Sequence, residues 1–159
     1  MTPPAPELRL ERLLPAPPER VFEAWVTPAL LTRWWAAAPG WRGVGAEVDL
    51  RPGGRYRLAM KDPQDGRVHA VTGEYLVVDR PRRLVFTWAW EGDPPEMEGS
   101  AETVVTVELH AEGDGTRLVL VHRGFAHDGV RDLHVSGWTG CLQSFAARAL
   151  DGNPYGKER

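Results

Sequence analysis

The fold is decided by residues 128–150, DGVRDLHVSGWTGCLQSFAARAL. Apolar and small side chains recur in this stretch at intervals of three and four residues, the spacing of one face of an α-helix. The recurring residues are Val130, Leu133, His134, Gly137, Trp138, Cys141, Leu142, Phe145 and Ala149. At 1.5 Å per residue such a stripe runs for about 34 Å. A helix with so long an apolar face needs a matching surface, and the rest of the chain must supply it.

Upstream of this helix the sequence predicts six successive β-strands. Alternating apolar and polar residues fill the segments, and turn sequences such as Pro52-Gly53-Gly54 and Asp65-Gly66 separate them. The predicted strands fall near residues 44–50, 55–60, 67–79, 83–90, 105–109 and 118–122. Strands joined by turns this short pair in antiparallel fashion. The pattern therefore favours an antiparallel meander over a parallel sheet.

The N-terminal part adds one strand and two short helices. Residues 7–14 read as a strand that ends at Pro15, and Pro17-Pro18 then begins a helix. Thr27-Pro28 ends that helix and begins a second. We therefore predict an α+β fold. A curved antiparallel sheet of about six to seven strands wraps the long C-terminal helix, with the two short helices after strand 1.

Length and composition indicate one globular domain. The chain has 159 residues and a formal net charge of −3, from 19 basic and 22 acidic residues. This near-neutral balance argues against nucleic-acid binding, and no apolar run reaches the roughly 20 residues of a membrane span. The N-terminus lacks the pattern of a signal peptide, so we expect a cytoplasmic protein. We predict a flexible arm at 1–6, a domain at 7–151, a loop at 91–100 and a tail at 152–159.

Seven tryptophans are the second informative feature of the sequence. So many in a chain of this length predict either a large aromatic core or an aromatic-lined cavity between sheet and helix. Both interpretations stay open at this point. If there is a cavity, its predicted lining residues are Trp35, Tyr56, Met60, Trp88, Trp90, Val107, His122, Phe125, Trp138, Leu142 and Phe145.

Two polar residues are candidates for orienting a ligand in such a cavity. His122 lies at the inward end of a strand and could serve as a polar anchor or as an acid/base. Glu74 is a candidate partner, although it alternates with Tyr75 and only one of the two can point inward. The alternative for His122 is a buried histidine whose hydrogen bonds are made within the protein.

The sequence predicts no metal site and no cofactor. His127, His134 and Cys141 are seven residues apart, which is a rise of about 10.5 Å per step, whereas a zinc ion needs ligand atoms within about 2.3 Å. The single cysteine, Cys141, excludes an internal disulfide and is expected to be a small buried residue. Gly137 is predicted to let the long helix approach the sheet closely.

A set of short motifs, in order along the chain, resembles a known family. The N-terminal motifs are residues 16–25 (APPERVFEAW), Trp34-Trp35 and residues 50–56 (LRPGGRY). The later ones are Gly73-Glu74-Tyr75, residues 81–88, residues 115–125 and His134-x-x-Gly137-Trp138 with Leu142. Together they resemble the AHSA1-like (activator of Hsp90 ATPase homologue 1-like) branch of the START-like, or SRPBCC, superfamily over about residues 8–150.

The resemblance implies a helix-grip fold of the START/Bet v 1 type, often with a cavity between sheet and helix, but no single activity. Three hypotheses follow. The favoured one is a non-catalytic domain that binds a hydrophobic or aromatic small molecule. The others are a polyketide cyclase/aromatase-like enzyme with His122 as acid/base, and a co-chaperone-like interaction module.

Partners are predicted only in outline. A homodimer is compatible with this fold, and no nucleic acid or membrane span is expected. The sequence carries no counterpart of the separate N-terminal domain of eukaryotic Hsp90 activators, which argues against an Hsp90-type partner.

Overall fold

The computed structural model describes residues 5–92 and 102–150. The strands in these ranges are β1 (Glu7–Leu14), β2 (Arg42–Val48), β3 (Arg55–Lys61), β4 (Val68–Asp79), β5 (Arg83–Trp90), β6 (Thr103–Glu112) and β7 (Gly115–Arg123). The helices are α1 (Pro18–Val26), α2 (Pro28–Trp34) and α3 (Asp128–Ser144), and a π-helical turn (Phe145–Ala149) extends α3. Residues 1–4 of the predicted arm, 93–100 of the predicted loop and all of the predicted tail lie outside the described residues.

All seven strands form one antiparallel sheet in the order β1-β7-β6-β5-β4-β3-β2. Strands β2 to β7 are neighbours in chain order, as expected for strands joined by short turns. Strand β1 returns beside β7, where Leu8 lies opposite His122 and Leu14 opposite Thr116. The predicted α+β fold is confirmed, with a curved sheet against a long C-terminal helix and two short helices after β1.

Two irregularities interrupt the pairing of the sheet. The register shifts in β2 between Gly43 and Gly45 and in β4 between Tyr75 and Val77. Such bulges increase the local twist and bend the strand that carries them. Both strands lie in the β2–β4 part of the sheet, where β2 packs against α2.

The two short helices are held together by tryptophans. Pro18 and Pro28 lie in the first turns of α1 and α2. The backbone N–H that proline lacks would have no acceptor within the helix at these positions. The indole Nε1–H of Trp34 donates a hydrogen bond of 2.9 Å to the carbonyl of Ala24, and its ring lies 4.9 Å from that of Trp25. The pair packs against the end of α3, where Phe145 lies 4.8 Å from Trp34.

Helix α3 approaches the backbone of the segment after α2 closely at Gly140. A Cβ atom there would lie 1.7 Å from the carbonyl oxygen of Ala37, so only glycine fits. At Gly137 a Cβ atom would meet no other atom within 4 Å. The prediction that Gly137 allows close packing on the sheet is therefore wrong: the close contact lies one turn further on, against the segment after α2.

Candidate functional site

A pocket of about 370 Å³ lies between α3, the segment after α2 and the ends of strands β3, β4 and β5. We call it the open pocket, because residues at its rim such as Leu133, Ser136 and Ala38 are exposed. Its lining residues are Trp35, Ala37, Ala38, Trp41, Met60, His69, Trp88, Trp90, Leu133, His134, Ser136, Gly137, Trp138 and Cys141. Most of this wall is apolar and aromatic, which suits a ligand of the same character.

Beside the open pocket the same interface is filled with side chains. This region, the packed cluster, leaves a space of only about 10 Å³. It consists of Trp25, Leu31, Trp35, Tyr56, Leu58, Tyr75, Leu84, Phe86, Trp88 and Trp138. Trp35, Trp88 and Trp138 belong to both regions and so form the partition between them. Both interpretations of the tryptophan content, a core and a cavity, therefore apply to adjacent parts of one interface.

The structure brings five of the predicted ligand residues together on the wall of the open pocket. These are Trp35, Met60, Trp88, Trp90 and Trp138. Tyr56 belongs to the packed cluster, where its hydroxyl donates a 2.6 Å hydrogen bond to the carbonyl of Thr87. The other predicted aromatic and aliphatic residues are buried in the core away from the open pocket. They are Val107, Phe125, Leu142 and Phe145.

Glu74 lies on the outer face of the sheet. Its neighbour Tyr75 is buried in the packed cluster, and the alternation of a strand turns Glu74 the opposite way. Its partner across the strand pair is the exposed Arg55. The choice between Glu74 and Tyr75 is thus settled for Tyr75, and the predicted pairing of Glu74 with His122 is wrong.

His122 is buried behind the partition, and both of its ring nitrogens have partners. Trp138 Nε1–H donates to Nδ1 at 3.0 Å, so the ring proton sits on Nε2. Nε2 lies 2.6 Å from Thr103 Oγ1, and this hydroxyl donates to the carbonyl of Trp88 at 3.3 Å. Burial, and to a smaller extent the nearby His134, lower the pKa of His122 well below its usual range. The histidine holds the partition in place and does not line the open pocket.

His134 is the histidine that does line the open pocket. Its Nε2 accepts two indole N–H groups, from Trp90 at 3.0 Å and from Trp88 at 3.3 Å. Two donors on one nitrogen require the proton on Nδ1, which donates to the carbonyl of Val130 at 2.9 Å. Burial lowers the pKa of His134. The side chain is thus a neutral hub that orients two tryptophans of the wall.

Several residues of the open pocket are not among those predicted from the sequence. His134 lies on the apolar stripe predicted for the last helix but is not among the predicted cavity residues, although that position was a usable signal. The rim pair Trp41 and His69 is also absent from the prediction; their rings lie 5.5 Å apart and are tilted by 32°. Trp41 follows the turn after α2 and His69 is the second residue of β4, so only the tertiary structure brings the two together.

Cys141 contributes a neutral thiol to the wall. It is buried, and desolvation raises its pKa to about 12. A thiol with so high a pKa is a poor nucleophile at neutral pH. Within residues 5–92 and 102–150 no group of His, Cys, Asp and Glu side chains is placed to hold a metal ion.

Comparison with known proteins places this architecture among solved relatives. A family model described as Activator of Hsp90 ATPase homolog 1-like protein matches residues 15–149. The crystal structure of a Chromobacterium violaceum protein has a TM-score of 0.77 and 30% identity, covering 89% of this chain and 94% of that one. The AHSA1 protein of Silicibacter pomeroyi has a TM-score of 0.74 and 31% identity, covering 89% and 96%.

A solution structure of the AHSA1-like protein of Aeromonas hydrophila is also similar. Its TM-score is 0.72 and its identity 27%, with 89% of this chain and 90% of that one covered. None of the curated proteins matches the chain.

In the described part of the chain, no helix is both long enough and apolar enough to cross a membrane.

Proposed function

The chain belongs to the AHSA1 family of Activator of Hsp90 ATPase homolog 1-like proteins, and within that family we propose that it is a small-molecule-binding domain. The proposed ligand is a small, uncharged, mainly apolar or aromatic molecule that occupies the open pocket. A fold shared by a family supports many functions, so the proposed function depends on the chemistry of the pocket itself.

The observation that carries the proposal is the volume and chemistry of the open pocket. Its volume of about 370 Å³ falls within the range of roughly 300–1,000 Å³ that is usual for ligand sites. Five tryptophans line it, namely Trp35, Trp41, Trp88, Trp90 and Trp138. The described wall contains no Asp, Glu, Lys or Arg side chain, and such a wall would leave the charge of an ionic ligand uncompensated.

The same geometry favours binding over the enzymatic hypothesis. A cyclase that used His122 would need one of its ring nitrogens to face the substrate, but Trp138 and Thr103 occupy both. His134 lines the pocket, but its Nε2 already accepts two hydrogen bonds. The interaction-module hypothesis has no specific observation in its favour here. The cytoplasmic location and the homodimer stay predictions.

The proposal is tested by titrating the protein with N-phenyl-1-naphthylamine, a neutral dye that fluoresces in apolar surroundings. We expect saturable binding to the wild-type chain. In Gly137→Phe the new ring enters the open pocket, because a Cβ at this position meets no atom within 4 Å, and affinity should fall at least about tenfold. The helix should tolerate the change, since phenylalanine has a better helix propensity than glycine.

The matched control is Gln143→Phe. It adds the same ring to the same helix at an exposed position outside the open pocket, so dye affinity should stay at the wild-type value. Absence of saturable binding to the wild-type chain would contradict the proposed function. Equal affinities of Gly137→Phe and wild type would show that the dye binds elsewhere.

A further inference from the structure

The two edge strands of the sheet, β2 and β1, differ in how they are protected. At one edge, β2 carries the bulge between Gly43 and Gly45, and a Cβ atom at Gly43 would lie 2.5 Å from the carbonyl oxygen of Thr32 in α2. Bulges and covering helices are devices that keep edge strands from pairing. At the other edge, β1 pairs with β7 in unbroken register over Glu7–Leu14. Strand β1 is therefore the regular edge of the two.

The outer edge of β1 is open to a further strand. Within residues 5–92 and 102–150, no backbone–backbone hydrogen bond joins β1 to any strand or loop other than β7. The carbonyl of Glu11 accepts a hydrogen bond of 2.7 Å from the guanidinium of Arg12, an exposed contact that an incoming strand can displace. Edge strands with unpaired N–H and C=O groups are templates for pairing with another chain.

The exposed side chains of β1 alternate in charge. Glu7, Arg9, Glu11 and Leu13 are exposed on one face of the strand, whereas Leu8 on the other face is buried. Within one copy, Arg9 forms an ion pair with Glu11. A row of charges of one sign would repel a second copy of itself, but a row of alternating sign can be complementary to one.

We propose that β1 pairs in antiparallel fashion with β1 of a second copy of this chain and so joins the two sheets into one. A two-fold axis perpendicular to the sheet relates the two copies. This symmetry keeps each face of the sheet continuous, so an exposed residue lies opposite an exposed residue. The axis must therefore pass through a residue of β1 and not between two residues.

The sequence of β1 decides which residue lies on the axis. With Leu10 on the axis, Arg9 of each copy lies opposite Glu11 of the other, which gives two cross-strand pairs of opposite charge. With a charged residue of β1 on the axis, that residue would face its own counterpart at like charge. With any other leucine of β1 on the axis, Pro6 or Pro15, which have no backbone N–H, would enter the ladder. The axis therefore passes through Leu10.

The same pairing covers apolar surface at the end of β1. Leu13 is 70% exposed. A shallow groove at this end of the strand is lined by Leu13, Leu14, Pro15, Asp114 and Gly115. In the proposed pairing, the segment that precedes Glu7 in the second copy runs along this groove and removes part of its apolar surface from water.

The test is sedimentation equilibrium of the chain between about 10 µM and about 1 mM, where we expect a monomer–dimer equilibrium. Arg9→Glu and Glu11→Arg should each raise the dimer Kd at least about tenfold, because each places like charges opposite one another. An equimolar mixture of the two variants should dimerise as tightly as the wild type, since opposite charges again face each other across the two-fold axis.

The matched control is Arg83→Glu, which makes the same charge change at a similarly exposed residue. Arg83 lies on β5 in the middle of the sheet, opposite Glu108 of β6, so the dimer Kd should stay at the wild-type value. Circular dichroism checks that each variant is folded, and recovery in the mixture shows the same. The proposal is overturned by a wild-type chain that stays monomeric, by single variants that dimerise like the wild type, or by a mixture that does not recover the dimer.

Discussion

The packed cluster and the open pocket lie side by side along the same three strands, yet one is filled and the other is not. Strand β5 contributes Phe86 to the packed cluster and Trp90 to the open pocket, and β3 contributes Tyr56 and Met60 in the same way. The strands thus present large side chains to both regions. What differs is the element that faces them.

Opposite the packed cluster, α1 and α2 supply large side chains, among them Trp25 and Leu31. Opposite the open pocket stand Ala37, Ala38, Gly137 and Cys141, which are among the smallest residues of the wall. A cavity persists where facing residues are too small to meet across the gap, since side chains otherwise pack to the density of a crystal. Small residues facing large aromatics are therefore a better sign of a cavity than aromatic content alone.

The largest expected effect is a difference in the free energy of unfolding that is lost when an aromatic residue is removed from each region. Phe86→Ala should lower the free energy of unfolding by about 3–5 kcal/mol, because it opens a cavity in the packed cluster. Trp90→Ala, on the same strand, should cost less than half as much, because Trp90 is only half-buried. Urea unfolding of both variants measures the difference. Equal losses would mean that the two regions are packed to the same degree.

Acidification should lower the free energy of unfolding because of two buried histidines, His122 and His134. The pKa values of His122 and His134 are lowered in the folded state, mainly by burial. As pH falls below about 6.5, the unfolded chain takes up protons that the folded chain does not, so stability is lost. Each histidine contributes a loss of up to about 1.4 kcal/mol at pH 5.5.

This prediction is checked by urea unfolding between pH 7.5 and 5.5. His134→Gln should retain only the part of the pH dependence that belongs to His122. A stability that is flat across this range would contradict the arrangement of neutral, hydrogen-bonded histidines described above. A steeper loss at still lower pH is expected from carboxylates and does not bear on the comparison.

The same substitution at two glycines of α3 should have opposite effects on stability. Gly140→Ala should destabilise the protein by about 1–3 kcal/mol, because its Cβ would overlap the carbonyl of Ala37. Gly137→Ala should stabilise it by about 0.5–1 kcal/mol, because alanine is the better helix former and nothing obstructs it. Thermal unfolding of the two variants gives the signs directly, and a stabilising Gly140→Ala would refute the close contact.

The smallest effect is expected at the rim of the open pocket. Leu133 is 47% exposed, so Leu133→Ser should change stability by no more than about 0.5 kcal/mol. Dye affinity should nevertheless fall by about two- to fivefold, since part of the apolar wall is removed. Paired titration and thermal unfolding separate the two effects. Unchanged affinity would place the bound dye away from this rim.

Elements that rest on local pattern were predictable from the sequence. The strand at 7–14 and the two proline-initiated helices follow from periodicity and turn residues, and the structure has them at Glu7–Leu14, Pro18–Val26 and Pro28–Trp34. The inward alternation along β5 also follows, because a strand has a period of two. The bulge in β4 was not predictable, since it depends on how that strand pairs with β5.

The candidate site was predictable only in part. Trp35, Met60, Trp88, Trp90 and Trp138 were expected on the wall and lie there, because each belongs to an inward face that its own element determines. His122 has the same inward position, yet its hydrogen bonds to Trp138 and Thr103 remove it from the pocket. No pattern in β7 could indicate that, since the partners come from α3 and β6.

The order of elements, the antiparallel meander and the apolar face of the last helix follow from local sequence pattern, because periodicity and turn chemistry act over a few residues. Which tryptophans pack together and which line a pocket depends on the folded chain. The same is true of the histidine that faces that pocket and of the contact that Gly140, and not Gly137, makes with a neighbouring backbone. These outcomes depend on the sizes and hydrogen-bonding groups of side chains from distant segments, which meet only when the sheet closes on the helix.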